Sequence, residues 1–572
     1  MKKIIIASLA SSLLFGTNLE EIVIPEITVD AEYVEENPLV MQETSPGMKQ
    51  PIINGLMGDK ILITLDRNKF SNALFRSGPN QYYSWVPDAF VKANTTNETL
   101  LNSSLGGTVN RELGIVETGI SIDASSNTFT GVATYKDKTL EAGIVYTDNG
   151  NVVDTKGEVP HSSYNQKGLY LSKDSSLGIT KFMFTQNDDI DRTDKFQKGQ
   201  YYVWELQRYI MLSHEYHIEG TNIVIQPSWQ RFQENITKSE DGSSYVDSTD
   251  DIFGLNISDK RSGVFTESDT LKYGLTNHYE DIDYDKSGTV DDYYYNTMSL
   301  WTSYHNNVFD KWDYTLTYNF GWMKTEGSGI DRSMTGNAFG LNTNYLIDDY
   351  TFAFASVNTN FKFPTIVNLA EARDDSVTEI ANPNLDSEKS ITYKIGLNYK
   401  DIELSVFYKD LTDMIIRVQT NIPDGNGDYK WRYENTDSGY IKGITLAYEH
   451  TFGDIYFQTR IEYLDGKTDY DYISKLQPLV TRTKVEYNGA FAEFLYAPSV
   501  DEDKMALKDQ TDIRIKDHNY GYRILNLGYT YNTQYGAFSL YLDNAFNDEG
   551  RVYGSSVDFN ERRVRVGYDC HY

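Results

Sequence analysis

One stretch of the chain has the residue types and spacing of a cation-binding loop. Asp283, Asp285, Ser287, Thr289 and Asp291 place oxygen-bearing side chains at alternate positions, with Gly288 sixth in the run. Oxygens at positions 1, 3, 5, 7 and 9 of such a loop wrap Ca²⁺, and glycine at position 6 permits the sharp turn. Position 12, which ordinarily supplies a bidentate Glu, is Tyr294, and no helical pattern flanks the run. The competing reading is an acidic outer loop that is simply solvated. It takes precedence, because short motifs of this kind recur by chance. A Ca²⁺ ion held here would be bound weakly, as in extracellular modules.

The remaining reactive side chains are sparse. The eight histidines are scattered. His214 and His217, three apart in a predicted strand, fall on opposite faces and cannot share a metal. Cys570 is the only cysteine, so neither an internal disulfide nor a Cys-based metal cluster can form. No nucleophile elbow, P-loop, dinucleotide fingerprint or HExxH is present. The sequence gives no support to an enzyme and calls for no required cofactor.

The elements that would carry these residues are strands. Ile391, Tyr393, Ile395, Leu397 and Tyr399 alternate with Thr392, Lys394, Gly396 and Asn398. After Lys400-Asp401 the pattern resumes with Ile402, Leu404 and Val406 against Glu403 and Ser405. Successive strand side chains point to opposite faces, so this is an antiparallel hairpin with one apolar and one polar side. Trp312, Tyr314, Leu316, Tyr318, Phe320 and Trp322 repeat the pattern. So do the pairs Ile444–Tyr448 with Ile455–Phe457, and Leu525–Tyr531 with Phe538–Leu542. The lengths suit membrane strands, which need about 9–11 residues.

Composition agrees. The chain has 572 residues, 45 of them Tyr, and 14% aromatics, a profile that suits the aromatic girdles of membrane barrels. Mean hydropathy is -0.51, and apart from the N-terminus no apolar run is long enough for a membrane helix. A membrane barrel is compatible, because only alternate residues need be apolar. The net charge of -31 would repel a nucleic-acid backbone, so no nucleic-acid partner is expected.

The two ends address the compartment. Met1-Lys2-Lys3 precedes an apolar run from Ile4 to Phe15, which predicts an export signal over 1–18. At the other end Val564, Val566, Tyr568, Cys570 and Tyr572 alternate with Arg563, Arg565, Gly567, Asp569 and His571.

Several motifs carry a family resemblance. Phe361-Lys362-Phe363-Pro364, followed by Asn382-Pro383-Asn384-Leu385 and Glu388-Lys389-Ser390, resembles the FRAP…NPNLxxEKS block of TonB-dependent outer-membrane receptors. Residues 37–83 are similar to the central part of the receptor plug, including Phe75-Arg76-Ser77-Gly78-Pro79-Asn80-Gln81-Tyr82. Ser104–Asn110 resembles the LGGxVN that closes it. Asp543–Asp548 and the aromatic terminus resemble the family's C-terminal signature and outer-membrane assembly signal.

The resemblance implies an all-β transmembrane antiparallel β-barrel of about 22 strands, holding a small N-terminal α/β plug. It divides the chain into a signal peptide (1–18), a periplasmic Ton-box segment (19–36), a shortened plug (37–114) and the barrel (115–572). Glu26, Ile27, Thr28, Val29, Asp30 and Ala31 resemble the Ton box, which a TonB-type inner-membrane partner grips by strand addition. The implied ligand is a ferric siderophore or haem-type chelate. The implied setting is the outer-membrane lipid of a Gram-negative bacterium, and a monomer is expected. Arg76, Asn80, Gln81, Tyr82, Tyr83 and Trp85 are candidate ligand contacts in or near the external vestibule, with plug-to-barrel packing as the equal alternative. Haem receptors of this family carry a His between the two halves of the block, and none lies between Phe361 and Leu385. His278 and His305 could replace it, or be structural.

The chain also departs from the family. Asn54 replaces the usual Arg, Arg67 the usual Gly, Asp88–Leu101 matches poorly, and the plug's first third has no room between Ala31 and Asn37. A passive, porin-like channel with a degenerate plug is therefore the alternative function. A surface adhesin rests on loop length alone.

Overall fold

The computed structural model describes residues 40–70, 79–97, 104–196, 199–309, 311–370, 379–423 and 429–571. The predicted export signal and the Glu26–Ala31 segment lie outside the described residues, as does Arg76.

Twenty-two antiparallel strands close into one barrel. In chain order they begin with β1 (Gly119–Ser125), β2 (Thr128–Lys136), β3 (Leu140–Asn149), β4 (Tyr164–Ser175), β5 (Gly178–Asp191) and β6 (Val203–His217). Then come β7 (Val224–Thr237), β8 (Tyr245–Ser262), β9 (Thr270–Lys286), β10 (Thr289–Val308) and β11 (Trp312–Gly327). The second half starts with β12 (Ile330–Asp348), β13 (Thr351–Lys362), β14 (Glu388–Tyr399), β15 (Ile402–Thr412) and β16 (Gly439–Phe452). It ends with β17 (Ile455–Thr468), β18 (Leu479–Tyr487), β19 (Ala490–Ala497), β20 (Tyr522–Thr533), β21 (Gly536–Asp543) and β22 (Arg563–His571). β22 pairs with β1, Cys570 lying opposite Ile120 and Val566 opposite Ala124, so no sheet edge is left open. The strand number is the one expected from the sequence.

The alternation of the sequence becomes an inside and an outside. On β15, Ile402, Leu404, Val406 and Tyr408 are exposed on the outer surface, whereas Ser405, Phe407, Lys409 and Leu411 are buried toward the lumen. β20 and β21 repeat this with exposed Tyr529, Tyr531, Phe538 and Leu540. An apolar exterior around a more polar interior suits a hydrocarbon surround. Among the described residues no helix is long and apolar enough to cross a membrane.

The two ends of the barrel differ. At the end where the chain enters β1 and leaves β22, the connections are tight turns such as Lys400-Asp401, Gly453-Asp454 and Asn488-Gly489. Exposed Tyr135, Tyr216, Trp312, Tyr399, Phe452, Tyr487 and Tyr531 ring this turn end, as an aromatic girdle does. At the loop end the connections after β13, β15, β17, β19 and β21 are longer. Ile415–Pro423, Tyr429–Asn435 and Glu379–Ile380 form a separate three-stranded sheet there. Strand length also varies around the wall: β10 and β12 have 20 and 19 residues, β19 and β21 only 8 each.

The described residues of 40–113 sit in the lumen. A four-stranded sheet orders Asn68–Lys69, Ile61–Leu65, Gly107–Leu113 and Val91–Asn97, its two central strands parallel. Helical structure here is limited, among the described residues, to the 3₁₀ turns Gly58–Lys60, Pro79–Trp85 and Asp88–Phe90. A hairpin of Met41–Ser45 and Met48–Pro51 lies above the sheet, toward the loop end, where Gln42 and Glu43 bond Gly554 and Ser555.

Candidate functional site

The feature through which this molecule can act is the seat of the inner domain on the barrel wall. Ile61, Ile63, Leu65 and Val109, the alternating residues of the parallel pair, are buried in its core. The Ser104–Asn110 motif docks onto the adjoining turn: Leu105 N and Gly106 N donate to the Lys60 carbonyl, and the Ser104 hydroxyl accepts from Gly107 N. Buried Arg111 ties the following segment down. Its guanidinium donates to the carbonyls of Tyr83 (2.7 Å) and Val86 (3.0 Å), pairs with Asp88 (2.6 Å) and lies over the Tyr83 ring.

One side of the seat is aromatic. Phe70, Tyr82 and Trp85 interlock with Tyr209 of β6 and Phe232 of β7, at ring separations such as 5.0 Å for Phe70–Tyr209 and 5.5 Å for Tyr82–Phe232. A polar strip continues it: Tyr209 Oη donates to Gln230 Oε1, and Gln230 Nε2 donates to the Lys69 carbonyl. The Lys69 ammonium pairs with Glu280 of β9 at 3.0 Å. Nearer the turn end, Lys181 of β5 holds Asp66 at 2.7 Å.

A neighbouring stretch of the wall is ionic. Glu388, the acid of the Glu388-Lys389-Ser390 motif, is fully buried at the start of β14 and pairs with Lys60 of the inner domain and Lys362 of β13. Lys362 also reaches Asp59 at 2.9 Å. Ile415 N donates to Glu388 Oε1, and Lys60 donates to the Ile415 carbonyl, so the outer three-stranded sheet joins the same network. Burial alone would raise the Asp59 carboxyl, but the Lys362 and Lys60 ammonium groups outweigh it and hold it down to about 2. Two acids and two ammonium groups thus compensate one another where a single charge would be costly.

The geometry bears on two readings, in the first of which it agrees with the packing alternative. Tyr82, Tyr83 and Trp85 do not face a vestibule: they are buried in the interface between inner domain and wall, where a large aromatic gains most from exclusion of water. Asn80 and Gln81 belong to the same 3₁₀ turn. The acidic run is no loop either. β9 and β10 pair up to Lys286–Thr289, leaving Ser287-Gly288 as a two-residue turn with positive φ at both positions. Asp283 and Asp285 point to one face of that hairpin, while Asp291 lies opposite Tyr284 on the other, so they cannot encircle one ion. Among the described residues no cluster of three or more metal-ligating side chains occurs. The signal that sequence reasoning missed was the unbroken alternation Ile282, Tyr284 and Tyr293, Tyr295 on either side of the turn.

The histidines separate. His214 meets Thr180 and Leu177, and His217 meets Glu215. His278 is buried opposite Thr297, whereas His305 sits eight pairs further along, opposite Thr270.

A closed 22-stranded barrel with a small domain seated in its lumen defines a plugged membrane barrel. Residues 65–547 match the family described as TonB dependent receptor-like, beta-barrel, and the chain belongs to that family. Its fold is shared with solved structures at low identity. The copper transporter OprC is 12% identical at a TM-score of 0.77, with 93% of each chain covered. The FrpB iron transporter from Neisseria meningitidis is 12% identical at 0.73, with 94% of this chain and 96% of that one covered. The Serratia marcescens hemophore receptor HasR, solved with its hemophore and heme, is 10% identical at 0.72, covering 91% and 92%. No curated protein matches the sequence.

Proposed function

We propose that this receptor resides in the outer membrane of a Gram-negative bacterium and takes up a scarce, large ligand of the ferric-siderophore or haem type. Energy arrives through Glu26–Ala31, gripped as an added strand by a TonB-type inner-membrane partner. The observation that carries this reading is the seat itself. The inner domain is a separate unit held to the wall by two buried ion-pair networks, Lys60–Glu388–Lys362 and Lys69–Glu280. Removing one partner of such a pair costs about 3–5 kcal/mol, because a buried charge is left uncompensated. A domain seated in this way is displaced by work, and a pull on the N-terminal segment would supply it.

The first test is conductance of the purified protein in a planar bilayer. A silent barrel is expected; a large, steady conductance without an energy source would promote the passive channel instead. The coupling step is tested by Ile27→Pro, which removes an N–H that strand addition needs. Iron-limited uptake should be lost while ligand binding to whole cells persists. Loss of both would assign that segment a different role.

A further inference from the structure

The seat covers only part of the lumen wall. On β4 to β10 the lumen-facing side chains are buried against the inner domain, as in Tyr170, Thr185, Gln207, Gln230, Ile252 and Thr276. Charged wall residues in contact with the seat follow suit: the side chains of Glu280 and Glu388 are 0% exposed and that of Lys362 is 3% exposed. The other arc differs. The charged lumen-facing positions of β18, β22 and β1, which alternate with outward Tyr487, Val566 and Ile122, remain open to solvent, whereas Tyr522 and Ile524 of β20 and Ser539 of β21 are buried. Lys484 is 29% exposed and Glu486 42%; Arg565 is 29% exposed and Asp123 27%.

These residues form a ladder of alternating charge. Arg482 pairs with Glu493, Lys484 with Glu486, and Arg565 with Asp123 at 2.6 Å and Asp543 at 3.3 Å. Polar and charged side chains left half-exposed inside a barrel require water beside them.

At the loop end this arc is roofed. The connections 498–521 and 544–562 pack together through a core of Val500, Met505, Ile515 and Tyr553, and 469–478 lies beside them. One carboxylate stitches all three. Asp509, fully buried, accepts from Ser474 Oγ (2.6 Å), Lys475 N (2.7 Å) and Tyr553 Oη (3.1 Å). The roof is also tied to the inner domain, since Gln42 donates to the Gly554 carbonyl and Glu43 N to Ser555 Oγ.

We propose that the β18–β22 and β1 arc is a standing aqueous conduit for hydrophilic solutes, and that the Asp509-stitched roof, rather than the inner domain, is its outer door. The inference rests on the transport reading and adds a second path to it: small hydrophilic solutes pass along this arc beside the seated inner domain, whereas the large ligand passes only when the seat is released.

The test has two readouts on the full-length protein in lipid vesicles and planar bilayers. In a Cys570→Ser background, Lys484→Cys and Gln230→Cys are exposed to a membrane-impermeant thiol reagent from the turn side. Lys484→Cys should label while Gln230→Cys, on the seated arc, stays unmodified. Equal labelling of both, or labelling of neither, overturns the one-sided conduit. Separately, Asp509→Ala should convert a silent barrel into a steadily conducting one, with Tyr553→Phe giving a smaller effect and unchanged strand content by circular dichroism. A silent Asp509→Ala barrel of native strand content overturns the door. If uptake fails to depend on the Glu26–Ala31 segment but both readouts hold, the energised reading falls and the conduit stands.

Discussion

Lys60 and Glu388, 328 residues apart in sequence, meet as a buried ion pair that fastens the inner domain to barrel strand β14. The pair is shared: Lys362 and Asp59 complete it, so no member can be removed without leaving an uncompensated charge. A change of Glu388→Gln keeps the shape and removes the charge. It should loosen the seat by about 3 kcal/mol. Limited proteolysis of the inner domain would register this as faster cleavage, with the barrel strands intact; unchanged cleavage would mean that the network does not hold the domain.

Acid should weaken the same seat. The Asp59 carboxyl lies below its unfolded value, so its contribution is fully present above about pH 4 and is lost as pH falls toward about 2. The loss amounts to about 2 kcal/mol. Urea midpoints for release of the inner domain should therefore be flat from pH 7 to 5 and decline below 4. Asp59→Asn should flatten this decline, and a slope unaltered by that change would remove Asp59 as its source.

The aromatic side of the seat is tested by Phe232→Ala. The ring touches Phe70, Tyr82, Trp85 and Tyr209 and is fully buried. Deleting it should cost about 3–5 kcal/mol through lost burial and the cavity left behind. Thermal scans monitored by Trp fluorescence should show the inner-domain transition shifted down while that of the barrel is retained.

Arg67 offers a gain. With Asp66 it forms a two-residue turn between Ile61–Leu65 and Asn68–Lys69, at φ of +72°. Left-handed backbone costs a residue with a Cβ about 1 kcal/mol, and glycine adopts it freely. Arg67→Gly should raise inner-domain stability by about that amount in urea titration, and a loss would reveal a contact of the Arg67 side chain that outweighs the strain.

Strand identity was legible because hydrocarbon on one face and a crowded lumen on the other impose a period of two. Ile391–Tyr399 with Ile402–Val406 announce their hairpin in sequence and pair as read, and the alternating Trp312–Trp322 stretch is a barrel strand. The seat was less legible. No local pattern around Lys60, Lys69 or Lys362 names a partner, and only the three-dimensional closure of the barrel brings carboxylates to them. Tyr82 and Trp85 sit in a Gly-Pro punctuated stretch that reads as exposed loop; the wall residues that bury them, Tyr209 and Phe232, are more than 100 positions later. The acidic run misled because ligand spacing and strand alternation share the same interval of two.

The unequal strand lengths shape how the mouth is approached. Between the 20 residues of β10 and the 8 of β21, the rim drops by about 30 Å at ordinary rise and tilt. The tall flank outreaches the apolar band, and its outward faces there bear Asp247, Asp251, Asp281, Asp283 and Asp292. The low flank is the one roofed by the Asp509 loops. The molecule is thus a tower with one low side, and under the proposal above its doorway would open sideways from the rim rather than at the summit.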